Sequence, residues 1–395
     1  MTSTSKQTKL IATTAYYLAF IILGLTTAIS GPSLPTLAEN TSTGVGQISL
    51  IFVFGSFGYL VGSYFGGRAF DRIPGHKLMA GVLLLMGIAS VFIPISNTLG
   101  VLLLFMFLSG LATGTLDVGC NTLLLWTHGE ESGPFINGLH FFFGVGAFIA
   151  PLLLVKVLVT TGTINWTYWT FAILCLPIAI WLWFLPEPSH QMHSAENKKT
   201  PLPLIPVLLC SILFFLYVGL ELSFGNWIYT YALTLDLGTT ITAAYLTSAF
   251  WGMFTVGRLL GVWVSTRARP KTIIFMDLLG CAIGTLIIMA WKDSTPALWI
   301  GTVALGLSMA SIFPTIFMLA GEKMLITGTI AGWLLVGSGA GSMAIPWLIG
   351  QLFALTGPSQ MTTVLLVDIV GMVFILLIFL NQRVVPIPEQ AITSE

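Results

Sequence analysis

The residues that could do chemistry here are few, because few polar side chains interrupt the long apolar runs. Asp117 and Asn121 lie four apart in the run ending at His128, so on a helix they share one face, which Gly110 and Gly114 extend. A carboxylate at the centre of an apolar span costs about 2.5–3.5 kcal/mol on insertion scales, so the default expectation is an interior polar site in a membrane bundle. Such a carboxylate can take up and release a proton near neutral pH. It can equally coordinate Na⁺, with Asn121 as a second oxygen donor, and sequence does not choose between the ions. The plainer alternative for both residues is a hydrogen bond between helices.

Glu221 is a second carboxylate inside an apolar run, on one stripe with Gly225 and Ile228, and Asn226 and Trp227 follow it. Carboxylates and amides that accept from hydroxyls, beside an indole face that packs on C–H groups, are what a neutral sugar needs. Trp227 and Tyr231 form a separate pair four apart, whose competing assignment is the interfacial aromatic belt. His140 shares a stripe with Gly144, Ala147 and Pro151, either as a pocket residue or as a donor to a helix carbonyl. Arg258, after Gly257, is a lone base within a run, expected to pair with groups near Asp71 or to snorkel. Asp277 and Asp368 are expected to be structural.

The elements that must hold these residues are transmembrane helices. Of 395 residues, 56% are hydrophobic and 8% charged, against about 25% charged in soluble domains. Apolar runs of about 20 residues recur throughout, the length a helix needs to cross a bilayer. Twelve spans are expected, roughly 10–31, 46–67, 78–96, 99–127, 134–159, 166–185, 203–232, 240–265, 272–291, 296–320, 328–354 and 360–381. The N-terminal Met-Thr-Ser-Thr-Ser-Lys leads into a run too long for a signal-peptide core, expected to be the first span. The formal net charge is zero, which gives no footprint for nucleic acid. Cys120, Cys175, Cys210 and Cys281 lie within apolar runs at no metal-ligand spacing, and are expected to be small core residues. There is no G-x-x-x-x-G-K-(S/T) loop for ATP and no catalytic-triad or metalloprotease spacing, so an enzyme is not expected.

The polar stretch 187–202 divides six spans from six, giving an N-terminal bundle at 1–186, a linker, and a C-terminal bundle at 203–395. With the N-terminus in the cytoplasm, twelve of the 15 Lys and Arg fall on that side and two on the other. This places both termini and the linker in the cytoplasm by the positive-inside rule. The halves repeat at an offset of 195 residues: Gly144-Val-Gly146-Ala-Phe-Ile-Ala-Pro151 matches Gly339-Ala-Gly341-Ser-Met-Ala-Ile-Pro346. Parallel repeats of six helices are a carrier architecture.

The loop Gly67-Arg-Ala-Phe-Asp71-Arg72-Ile-Pro-Gly75-His-Lys77 resembles the signature loop of the major facilitator superfamily, G-x-x-x-D-R-x-G-(R/K)-(R/K). It departs by one inserted residue and by His76. Within that superfamily, Thr115-Leu-Asp117-Val-Gly-Cys-Asn121 resembles the fourth helix of the fucose permease branch. Tyr217-Val-Gly219-Leu-Glu221-Leu-Ser-Phe-Gly225-Asn226-Trp227 is similar to the seventh helix of that branch and of the sodium-dependent glucose transporters. The resemblance implies an all-α membrane protein of twelve helices in two pseudo-symmetric halves, a monomer in the cell (cytoplasmic) membrane. It implies symport of a small neutral sugar with co-transported Na⁺ or H⁺ and no other cofactor. Asp117, Asn121 and Glu221 would couple the cation, and Asn121, His140, Glu221, Asn226 and Trp227 would bind the sugar. Gly67, Asp71, Arg72, Gly75 and Arg258 would form a gate, with Asp71 at the N-terminal dipole of the eleventh helix. The alternative function is proton-coupled export of drugs or amphiphiles. A sensor built on a carrier fold is disfavoured by the short linker and tails.

Overall fold

The computed structural model describes residues 6–188 and 203–382. The expected linker from 189 onward, with Lys198 and Lys199, and Arg383 with the C-terminal tail lie outside the described residues. What is described is helical. The helices are α1 (Lys6–Ala28), α2 (Ser30–Asn40), α3 (Val45–Ile48), α4 (Leu50–Phe70), α5 (Gly75–Phe92), α6 (Leu99–His128), α7 (Ser132–Thr161) and α8 (Asn165–Phe184). They continue as α9 (Leu204–Thr234), α10 (Thr240–Ser265), α11 (Pro270–Ala290), α12 (Thr295–Met309), α13 (Ile312–Lys323), α14 (Gly328–Thr356) and α15 (Gln360–Leu380).

Among the described residues, ten segments are long and apolar enough to cross a membrane. One of them, Leu99–Thr161, contains both α6 and α7, and α10, which falls short of that apolarity, brings the passes to twelve. The expected spans match these passes within a few residues at most boundaries. Three passes are broken: the first at Ile29, between α1 and α2, the second at Ser49, between α3 and α4, and the tenth at Ala310 and Ser311, between α12 and α13.

Local chemistry sets several boundaries. Thr239, Ser294 and Thr327 cap α10, α12 and α14, each accepting a hydrogen bond from the backbone N–H three residues on. The ends of α7 and α14 turn on Gly162 at φ +74° and Gly357 at φ +102°. Both are left-handed positions that favour glycine, and they are one repeat length apart.

Within the first set of helices, α4 lies along α6, α1 along α7, and α5 against α6 and α8. Within the second, α9 lies along α14 and α15, and α12 against α10 and α11. The seam between the sets is α7 against α10 and α4 against α14, joined by α2 on α9 and α3 on α14.

The repeated glycines explain this geometry. Gly146 faces the α1 backbone at Ile21 and Leu25, and Gly341 faces the α9 backbone at Phe215, so each repeat's fifth helix packs on its first. Gly144 faces Thr255 of α10, and Gly339 faces Leu60 of α4, so the same helices also cross the seam. A Cβ at any of these positions would overlap the facing atoms, which is how small residues let helices approach closely.

Candidate functional site

Asp117 sits on α6 where that helix crosses α4. Gly110 and Gly114 bring the two backbones together, with Gly114 against Tyr59. The Tyr59 hydroxyl donates to one Asp117 oxygen. Asn121 Nδ2 donates to the other at 3.0 Å, and to the Asp117 backbone carbonyl at 3.0 Å. The shared face expected from the four-residue spacing is therefore present. In this arrangement Asn121 serves the carboxylate as a donor rather than standing beside it as a second oxygen. Tyr59 was not singled out in the sequence, although a tyrosine in an apolar run whose hydroxyl needs a partner was the available signal.

Across the seam, Glu221 lies one turn from Tyr217 on α9. The Tyr217 hydroxyl lies against Glu221 and donates to Met309 O at 2.9 Å, at the break in the tenth pass. Gly225, one turn further, admits the rings of Phe250 and Trp251 from α10. His140 packs edge-on against Phe20, with ring centroids 5.9 Å apart. Arg258 stacks over Phe254 at 4.8 Å, and its Nε is buried without a hydrogen-bond partner. Arg258 has no hydrogen bond or ion pair with Asp71, the region in which a partner is expected for it.

Asp117, Asn121, His140, Glu221 and Arg258 are all half-buried, while helix neighbours such as Leu116, Cys120, Leu139, Phe224 and Phe254 are buried. Half-buried polar groups are thus carried on both sides of the seam, by α6 and α7 and by α9 and α10, and their oxygens and nitrogens can accept from and donate to hydroxyls.

Two expected sugar contacts lie elsewhere. Trp227 is fully buried, its indole N–H donates to Pro346 O at 2.9 Å, and its ring stacks on Phe353 at 5.4 Å and meets Phe52 edge-on. The backbone of Asn226 is pressed against Gly31 of α2. Both belong to a contact at the Thr41 end of the seam. There Gln351 Nε2 donates to Gly46 O at 2.7 Å and to Ser49 Oγ at 3.2 Å, and Gly350 faces Ser49. This closure was not foreseen, because it joins residues some 300 positions apart in the chain. An apolar cavity of about 270 Å³, lined by Leu34, Ala38, Val45, Ile48 and Leu233, lies beside it.

At the opposite end, Asp71 and Arg72 are exposed, and their side chains make no hydrogen bond or ion pair among the described residues. Gly67 approaches Val118, and Gly75 packs on Leu123. His76, the departure from the signature loop, is buried: Nε2 bonds the Tyr16 hydroxyl at 2.6 Å, and the backbone N–H donates to Glu187 at 3.1 Å. Of the two peripheral acids, Asp277 accepts from Ser311 at 2.6 Å, whereas both oxygens of buried Asp368 lack partners.

The chain is similar to known proteins in sequence and in fold. The chain is 30% identical over 376 residues to the mouse sodium-dependent glucose transporter 1A, covering 85% of this chain and 88% of that one. It is 33% identical over 356 residues to the Xenopus laevis sodium-dependent glucose transporter 1, covering 82% and 72%. Its fold is similar to that of a D-xylose-proton symporter, with a TM-score of 0.75 at 12% identity over 95% of this chain and 98% of the other. It is equally similar to the nucleoside transporter NupG, with a TM-score of 0.76 at 13% identity over 94% and 99%. The model of the Major Facilitator Superfamily matches residues 16–346, and the chain belongs to that superfamily of multi-pass membrane transporters.

Proposed function

We propose that the protein is a cation-coupled symporter of a small neutral hexose, working by alternating access between two six-helix halves, 1–186 and 203–395. The observation that carries this is the pair of half-buried mid-span carboxylates, Asp117 with Asn121 on one side of the seam and Glu221 on the other, whose cost a visiting ion or hydroxyl would offset. The names of the relatives, sodium-dependent glucose transporters, support the substrate class and favour a cation as the driver. Asp117 and Glu221 hold Na⁺ or H⁺, while Asn121, His140 and Glu221 meet the sugar. Asp71, Arg72, Gly67 and Gly75 form the gate at their end of the seam. The positive-inside distribution puts that end in the cytoplasm of the cell membrane, so the state described faces inward.

Neutralisation drives the switch: a charged carboxylate is costly to occlude between the halves, and one bearing a cation is not. The test is Asp117→Asn in proteoliposomes with labelled D-glucose, under an imposed sodium gradient and then a proton gradient. Accumulation should vanish while exchange of internal for external sugar persists. A variant that still concentrates glucose removes Asp117 from the coupling role. Wild-type protein that ignores hexoses but releases lipophilic cations against a proton gradient would point to export instead.

A further inference from the structure

Both oxygens of Asp117 face hydrogen-bond donors. The Tyr59 hydroxyl bonds one from α4, and Asn121 Nδ2 bonds the other at 3.0 Å. The Asn121 amide is oriented by its partners. The same nitrogen donates to Asp117 O at 3.0 Å, so turning the amide over would set its oxygen against two acceptors. The two backbones are held as well. A Cβ on Gly114 would overlap Tyr59 O, and one on Gly110 would overlap Gly55 O. Thr115 Oγ1 donates across the same crossing to Gly62 O at 3.0 Å. With the helices fixed, the contact between Tyr59 and Asp117 changes by rotation of side chains and not by movement of α4 along α6. Neighbouring titratable groups make their contacts elsewhere. Tyr16 of α1 and His76 of α5 bond each other, His140 of α7 packs on Phe20, Arg258 of α10 stacks over Phe254, and Cys120 of α6 itself lies 3.9 Å from Tyr16 O.

A hydroxyl donated to a carboxylate stabilises the charged, cation-free form, and such charge-assisted bonds are the stronger kind. A cation arriving at that oxygen must displace the hydroxyl, and a departing one is replaced by it. We propose that Tyr59 is a positioning residue for cation release: its hydroxyl competes with the transported cation for Asp117, and so keeps the carboxylate from holding that cation too tightly. The inference rests on the symport proposed above and adds the group that discharges the ion. In the inward-facing state the hydroxyl stands at Asp117, on the side where the cation is given up. Asn121, bonded within its own helix, sets the orientation of the carboxylate instead.

The experiment uses full-length protein in proteoliposomes, with labelled D-glucose as probe and the driving cation identified by the gradient that works. Tyr59→Phe keeps the ring and removes the donor. It should lower the external cation concentration for half-maximal uptake by about tenfold, which for protons is about one pH unit upward. Net uptake at saturating cation should fall several-fold, while the KM for glucose and exchange with cation on both sides stay within about twofold. Thr115→Val removes a hydroxyl from the same crossing whose bonds run to Gly62 and Leu111, and should leave the cation dependence unchanged. A fluorinated tyrosine in place of Tyr59, whose phenol is the stronger donor, should shift the half-maximal concentration the opposite way. It decides the case if Tyr59→Phe does not fold. An unchanged cation dependence in Tyr59→Phe, a raised KM for glucose in its place, the same shift in Thr115→Val, or a fluorinated variant that does not shift the opposite way overturns the competition. Wild type that shows no cation-driven glucose uptake overturns the symport proposal itself, and the role of Tyr59 falls with it.

Discussion

The two ends of the seam are built by different means. At the Thr41 end the surfaces fit closely: Gly31 against the Asn226 backbone, Gly350 against the Ser49 side chain, with Gln351 bonded to Gly46 and Ser49 and the Trp227 indole N–H bonded to Pro346 O. At the Asp71 end, the charged loop side chains stand exposed and unpaired. Glycine contacts without side chains give a tight closure that tolerates no added atoms. A charged loop can be released at little cost, because water replaces its partners. With the gate proposed above, closure at one end would rest on fit and at the other on charge, so mutations should separate them.

The largest effect is expected from Gly31→Leu. Its side chain would run into the Asn226 backbone, and overpacking of this kind costs about 1–3 kcal/mol. The equilibrium should shift by about tenfold or more away from closure at the Thr41 end. A cysteine placed at Ala38 reports this through labelling by an impermeant maleimide, and the four native cysteines are buried and give little background. Unchanged labelling would mean that the glycine contact does not hold that end shut. Gln351→Ala comes next. It removes two hydrogen bonds of about 0.5–1.5 kcal/mol each, so labelling at the same site should rise several-fold. The smallest effect should come from Asp71→Asn, which in this state has no partner to lose. Thermal stability should change by less than about 0.5 kcal/mol, while labelling at Ala38 falls, because only the opposite state uses the loop charge. A large loss of melting temperature would show that Asp71 already bears load here.

Much of this was legible in the chain. The spacing of Asp117 and Asn121 shows as a direct hydrogen bond, and the repeated Gly-x-Gly motifs appear as equivalent crossings in the two halves. Periodicity could not reveal the break at Ala310 and Ser311, because apolar residues run on around it, whereas Ser30-Gly31-Pro32-Ser33 accompanies the break at Ile29. Trp227 misled for a related reason. An indole beside a carboxylate suits a sugar, but its N–H acceptor comes from a helix 119 residues away. Arg258 was visible as a costly residue, whereas its stacking on Phe254 and its position on α10, packed against α7 and α9, appear only in the fold.

His76 carries one more consequence. Through Tyr16 and Glu187 it ties the start of the first pass, the loop after the second and the end of the sixth into one knot beneath the N-terminal helices. That knot braces the Asp71 end of the half. Whatever flexing the transport cycle demands must then occur above it, where the first pass is already interrupted.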